Sequence, residues 1–489
     1  MPSNTQKTIK GLSSQSIVTI VLGIVEVVSF SLMSRLLTKE DFGIFAVVSA
    51  VVTIFSSISE AGLGASLVQR KSLNKSFVDN VFSLSMIMGV ALMLLLILSS
   101  GLISSLILGN EIRLALILMS ISLPVHSLSS VNLSLLQRDY KFITIGVIRV
   151  TSVVVSTVIA VILAIHSYGY YSIIAKAVSA PCILYLLSLI YARRKYSFQL
   201  NKEYIKEIVN FSGWFMASRL LRNLSKQLDK LLMPRLIDVE TLGAYSRPKD
   251  FIEQFSGKIN GIFDTALFPV LSSIQDDNAR LKSSLSKSLY FLNLFSTFLA
   301  LAFIFNSRLI IRVFFGSEWI NLVPLFIILS IAIVFNVDGR LADCYFRSLG
   351  RTKQQFFFRV GEVASKIVGV VIGAYFGVIG IAIGVVLSES ILRVGKLLYI
   401  SSTIGVKVKV IFTWLFSSWR PMLFIVPLCS LTFILSPNSL WGDIITMIAF
   451  IITCLIPLVL FPTIIGGNYK AELYPKVICQ IKQHLHFTK

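Results

Sequence analysis

Charge is scarce in this sequence. Only 14% of its 489 residues are Asp, Glu, Lys or Arg, where soluble globular chains average about 25%. Hydrophobic residues make up 55% and the mean hydropathy is +0.81, so an ordinary soluble domain is excluded and a bilayer is the expected solvent. Acid is the scarcer sign, with 24 Asp plus Glu against 45 Lys plus Arg, a net +21. The five cysteines, at 182, 344, 429, 454 and 479, form no CxxC pair and no ligand cluster, so they carry neither a redox nor a metal reading. Of four histidines, His484 and His486 sit in the tail, His126 is alone in a hydrophobic run and His166 lies at a boundary. There is no GxxxxGK[ST] loop, no HExxH and no GxSxG, which removes an ATP-binding motor of that type and the hydrolytic motifs. No hydrophilic stretch is long enough for an extramembrane domain of about 50 residues or more. The work is therefore expected inside the membrane.

What the chain has is a series of hydrophobic runs. About 20 apolar residues at 1.5 Å each cross a hydrocarbon core, and on that ruler fourteen segments qualify. They begin near Leu12, Phe42, Val81, Leu114, Phe142, Tyr170, Ile208, Leu242, Leu289, Leu322, Phe356, Val378, Pro421 and Trp441. Lys7 and Lys10 precede the first run as in a signal peptide, but no small-residue cleavage site follows, so an uncleaved span is expected. With the start of the chain inside, alternate connections hold 24 Lys and Arg on the inner side and six on the outer, and 15 fall within spans. That asymmetry places both termini in the cytoplasm and makes the basic charge topological. Nucleic acid is an unnecessary partner.

The segment LMSRLLTKEDFGIF from Leu32 recurs as LMPRLIDVETLGAY from Leu232, with six of fourteen positions identical, among them Arg35 with Arg235, Glu40 with Glu240 and Gly43 with Gly243. A unit of six spans enters the membrane twice in the same sense, so the copies are expected about an axis along the membrane normal. The expected fold is all-α and polytopic, about 14 transmembrane helices in two pseudo-symmetric six-helix lobes around a central cavity, plus two C-terminal helices. Residues 1–192 form the first lobe, 193–207 a basic cytoplasmic linker, 208–402 the second lobe, and 403–489 the terminal pair with a tail.

Charges inside the spans are uneven. The first lobe has Arg149 and Lys176 against Glu26 and Glu60, whereas the other thirteen basic residues follow position 200. In span seven Arg219, Arg222, Lys226 and Lys230 are spaced by three, four and four and share one helix face, with Asp229 beside them. Arg359, Glu362 and Lys366 repeat the spacing in span eleven, and Glu389, Arg393 and Lys396 form a third group in span twelve. Each Lys or Arg at a helix centre costs roughly 2.5 to 3.5 kcal/mol against lipid, so these ridges face water, opposite charge or a ligand. A hydrated, anion-attracting cavity is the favoured reading, and a network of ion pairs such as Arg359 with Glu362 and Arg393 with Glu389 is the other. Glu26, Glu60 and Asp229 are candidates for coupling to a proton or sodium gradient, since burial makes a carboxylate switchable. The alternative for the two glutamates is a hydrogen-bonded helix contact.

The run SRLLTKEDFGIFAVVSAVVTIFSSISEAGLGASLVQRK, residues 34–71, resembles the first helical hairpin of Wzx-type bacterial polysaccharide exporters, the flippases of lipid-linked oligosaccharides. NFSGWFMASRLLRNLSKQLDKLLMPRLIDVETLGAYSRPKDF, residues 210–251, is similar to the colanic acid, teichuronic acid and lipopolysaccharide exporter branch, within the multidrug/oligosaccharidyl-lipid/polysaccharide exporter superfamily; FPVLSSIQDD and YFRSLGRTK add weaker support. The resemblance implies alternating access between two lobes and a cargo of oligosaccharide repeat units on undecaprenyl pyrophosphate, moved across the bacterial cytoplasmic membrane. The cationic ridges give such a cargo a physical basis, and headgroup attraction maps onto Arg219, Arg222, Lys226, Lys230, Arg359, Lys366 and Arg393. The resemblance implies no catalysis, no cofactor beyond a possible ion gradient, membrane lipids and the polymerase and chain-length machinery as partners, and a monomer as the working form. A lipid II flippase for cell-wall synthesis and a drug or cation antiporter of the same fold are the alternatives.

Overall fold

The computed structural model describes residues 4–59, 64, 66, 67, 70, 73–419 and 422–460; within these, the side chains of 4–17, 59, 110, 205–219, 258–266, 269, 417, 418, 423, 424 and 455–460 are left aside. Among the described residues there are helices and no strands. They are α1 (Asn4–Leu36), α2 (Lys39–Ser59), α3 (Lys75–Ile107), α4 (Arg113–Ser120), α5 (Ser122–Arg138), α6 (Phe142–Ile165), α7 (Tyr170–Ala192) and α8 (Lys202–Leu236). Then follow α9 (Val239–Ser273), α10 (Asn278–Phe305), α11 (Val323–Ser348), α12 (Thr352–Ala374), α13 (Gly377–Ile404), α14 (Val408–Trp419), α15 (Met422–Leu435) and α16 (Leu440–Leu460). Each of the fourteen hydrophobic segments falls on a helix, and nine helical stretches among the described residues are long and apolar enough to cross a membrane. Charge accounts for much of the difference: α8, α9 and α12 carry most of the in-span Lys and Arg. The apolar surface is turned outward, with Leu98 83% exposed, which suits side chains solvated by lipid tails.

The chain divides into two compact units, Met1–Arg247 with Phe314–Gly316 and Val363–Ile381, and Pro248–Val313 with Ser317–Glu362 and Ala382–Lys489. In the first, α6 packs on α1 and α7, α5 on α3 and α7, and α8 on α2. In the second, α10 packs on α11 and α14, and α15 on α16. A core of Leu285, Leu289, Val337, Leu341, Leu397 and Ile400 fills the second unit.

Matched residues of the repeat meet inside the first unit. A methyl group added to Gly43 would lie 1.9 Å from the Val239 carbonyl oxygen, and one added to Gly243 would lie 1.7 Å from that of Lys39. Since 39 pairs with 239 and 43 with 243, each contact is the counterpart of the other, which is what a local two-fold axis requires. The helix starts on either side are capped by the same device with its residue types exchanged. Thr38 Oγ1 donates to Asp41 Oδ2 at 2.8 Å and the Asp41 amide donates to Thr38 Oγ1 at 3.2 Å. In the second copy the Thr241 amide and hydroxyl donate to the Asp238 carboxylate at 2.7 and 2.6 Å. Both satisfy orphan amides of a helix N-terminus.

The connection between α7 and α8 lies as an extended strap on the N-terminal turns of α3. The Gln199 amide donates to Ser83 Oγ at 2.9 Å, the Asn201 amide to Asn80 Oδ1 at 2.5 Å and Ser197 Oγ to Asp79 Oδ2 at 2.5 Å. Tyr196 stacks on Phe82, ring centroids 4.1 Å apart, and its hydroxyl donates to Asn132 Oδ1. Burial is the main influence that pushes the Tyr196 phenol up to about 12.

Candidate functional site

The first unit carries polarity between its apolar helices. α1, α5, α6 and α7 surround a cavity of about 550 Å³ whose wall includes Glu26, His126 and Arg149, the hydroxyls of Ser129, Ser130, Ser134 and Ser152, and Gln137. The wall is assembled from helical periodicity: Ser130, Ser134 and Gln137 are four and three residues apart on α5, so they lie on one face. Ser129 and Ser130 donate to carbonyls of their own helix, at 2.9 Å to His126 O and 2.8 Å to Ser127 O. Their lone pairs stay available as acceptors. Ser152 Oγ donates to the Ala180 carbonyl beside Pro181 at 2.5 Å, joining α6 to α7. Glu26 is within electrostatic reach of both Arg149 and Lys176, and His126 of Arg149. Lys176 Nζ donates to Ser29 Oγ, which shares a hydrogen bond of 2.8 Å with Thr157 Oγ1. Arg247 joins the same unit; its guanidinium donates to Ser34 Oγ at 3.0 Å and Phe30 O at 2.7 Å and covers the Phe30 ring at 3.3 Å.

Span seven is α8, which also belongs to this unit. Along the ridge Arg222 is half-buried, Lys226 exposed and Lys230 buried. Asp229 is fully buried and its Oδ2 accepts from Tyr245 OH at 2.6 Å. The Arg219 side chain and the whole of Glu60 lie outside the described residues. Arg222, Lys226, Lys230 and Arg247 share a compact unit with Arg149 and Lys176.

In the second unit the ionic-network reading describes the side chains. Arg359 pairs with Asp343 and, at 2.7 Å, with Glu362; Lys396 pairs with Glu362 and, at 3.2 Å, with Asp343. Two cations face two carboxylates, and Gln355 donates a further hydrogen bond of 3.2 Å to Asp343. Arg393 is paired with Glu389 at 2.6 Å. Lys366, further along α12, falls in the first unit and is buried at 1% exposure. Attraction of cargo by Arg359 or Arg393 therefore requires opening an ion pair. Lys396 and Asp343 were not singled out from the sequence as a pair, because they are 53 residues apart. The missed signal in the first unit was the hydroxyl-rich stretch SLSSVNLSLLQ on α5, unusual for a helix in lipid. Among the described residues no group of His, Cys, Asp and Glu is placed to hold a metal.

An apolar exterior, helices of membrane-crossing length and charged groups around an internal cavity define a multi-pass membrane protein of the transporter class. Residues 32–324 match the family model described as "Polysaccharide biosynthesis protein", and the chain belongs to that family. It is 22% identical over 395 residues to "Lipopolysaccharide biosynthesis protein WzxC" of Escherichia coli (strain K12), covering 79% of each chain. It is 24% identical over 366 residues to "Teichuronic acid biosynthesis protein TuaB" of Bacillus subtilis (strain 168), covering 74% of this chain and 75% of that one. Its fold is similar to that of "Lipid II flippase MurJ, inward closed conformation", with a TM-score of 0.72, 18% identity, and coverage of 91% of this chain and 98% of that one.

Proposed function

We propose that the protein is a flippase that moves oligosaccharide repeat units linked to undecaprenyl pyrophosphate across the bacterial cytoplasmic membrane. The observation that carries this is the interior polarity of the first unit: Glu26 and Arg149 line a cavity inside an apolar helical bundle, and Arg222 and Lys226 keep accessible surface on α8. Family membership and the relatives' roles in polysaccharide biosynthesis support the same class of cargo. Two six-helix lobes, 1–192 and 208–402, work by alternating access with both termini cytoplasmic, and the pair beyond residue 403 is an appendage. The pyrophosphate is drawn by the α8 ridge, where Arg can engage phosphate bidentately, while the polyprenyl tail stays in lipid. Glu26 or Asp229 couples the cycle to a proton or sodium gradient. The protein transports rather than catalyses, works as a monomer and delivers cargo to the polymerase and chain-length machinery.

The test is deletion of the gene, with lipid-linked repeat units expected to accumulate on the inner leaflet. Wild-type chain restores export, and a variant with Arg219→Gln, Arg222→Gln, Lys226→Gln and Lys230→Gln does not. Full rescue by that variant refutes the electrostatic role. Likeness to the MurJ fold favours a second reading, a lipid II flippase for cell-wall synthesis; rescue of growth after depletion of the host's own lipid II flippase selects it.

A further inference from the structure

We infer that the cavity bounded by α1, α5, α6 and α7 is a saccharide subsite, which holds a neutral, hydroxyl-rich sugar of the cargo apart from its anionic headgroup. The inference rests on the export reading and adds what the second compartment binds. The balance of the wall is the first argument. It contains one carboxylate, Glu26, one guanidinium, Arg149, and the imidazole of His126. A pyrophosphate needs a surplus of positive charge and an inorganic cation a surplus of oxygen ligands with negative charge. Neither surplus is present in this wall.

The second argument is the kind of polarity. A sugar ring offers many hydroxyls, each a donor and an acceptor, together with apolar C–H faces. The cavity offers both complements. Ser129 and Ser130 have spent their protons on their own helix and so accept. Arg149 donates in a planar fork, and Glu26 accepts. Leu133, Val153 and Pro181 supply apolar wall for the C–H faces. The volume, about 550 Å³, lies in the ordinary range of small-molecule sites. The site is also reachable from one end of the bundle: Gln137 is exposed at the last turn of α5, while His126 stands three turns deeper in the helix. His126 and Arg149 keep accessible surface although they point into the bundle, as lining groups of an open cavity do.

The experiment uses the full chain carrying Ser134→Cys in lipid nanodiscs and follows alkylation of that cysteine by N-ethylmaleimide with peptide mass spectrometry. The probes are methyl α-D-glucopyranoside, sodium pyrophosphate and, as an osmotic control, a high-molecular-weight polyethylene glycol too large for the cavity. The glucoside is expected to slow alkylation about tenfold at roughly nine times its Kd, since protection follows 1 + [L]/Kd. Adding Arg149→Gln weakens glucoside binding about tenfold, as loss of a charged hydrogen bond should, so protection at the same concentration falls from about tenfold to about twofold, and Arg222→Gln, outside the cavity wall, leaves it unchanged. Protection by pyrophosphate in place of the glucoside overturns the inference, because the cavity then takes the headgroup. Absence of protection by any probe also overturns it, whatever export does. Export is scored separately in the deletion strain: failure of the wild-type chain to restore it sinks the export reading, and the glucoside result stands or falls on its own.

Discussion

Replacing Lys396 by Met should be among the most destabilising single changes in the second unit, and a compensating change should recover much of the loss. Lys396 Nζ is 1% exposed and lies 3.2 Å from Asp343 Oδ1, besides its bond to Glu362. At that separation and an effective dielectric constant of about 20, one unit-charge contact amounts to roughly 5 kcal/mol before desolvation is subtracted. Lys396→Met removes one of the two cations paired with Asp343 and Glu362, and breaking a buried pair in this way costs about 3 to 5 kcal/mol. Glu362→Gln leaves Arg359 and Lys396 facing Asp343 and should cost a similar amount. The double variant again has one cation and one carboxylate, so its loss should fall short of the sum of the singles by about 1 to 3 kcal/mol. The assay is denaturant unfolding of the detergent-solubilised chain, with membrane insertion checked first. A Lys396→Met variant as stable as the wild type, or strict additivity in the double variant, would show that these four side chains do not act as one coupled ionic unit.

The reciprocal glycine contact gives a second expectation. Gly43→Ala or Gly243→Ala puts a methyl carbon 1.9 or 1.7 Å from a carbonyl oxygen that the helix cannot withdraw, so the α2 and α9 starts must part, at about 1 to 3 kcal/mol or more; equal stability and export in both variants would mean that the crossing is loose. In the strap, Tyr196→Phe removes the bond to Asn132 and should cost about 0.5 to 1.5 kcal/mol. Because burial, offset in part by Arg194, raises the folded-state phenol pKa to about 12, its contribution is intact below about pH 10, where an unfolded tyrosine ionises, and is lost between pH 10 and 12. Phenolate absorbance should show a late step near pH 12 that Tyr196→Phe abolishes, and an unchanged titration in that variant would refute the buried, bonded phenol.

How much was legible depended on the distance over which each signal acts. Hydropathy placed a helix at every one of the fourteen segments because burial in lipid is written residue by residue. The repeat was legible from Gly43 and Gly243, and its caps explain why identity lapses between them: Thr38 with Asp41 and Asp238 with Thr241 make the same bonds from exchanged residues. The pairs Arg359 with Glu362 and Arg393 with Glu389 could be read from helical spacing alone. Lys396 with Asp343 could not, nor could the grouping of Glu26 with Arg149 and His126.

By itself, then, the sequence determined a helical membrane chain, its duplicated framework and the helices that carry charge, because length, periodicity and apolarity are local properties. Only the tertiary structure decided which of those charges cancel and which line open space. Neutralisation depends on side chains a few ångströms apart in space, and residues on separate helices reach that distance by packing that no spacing in the chain records.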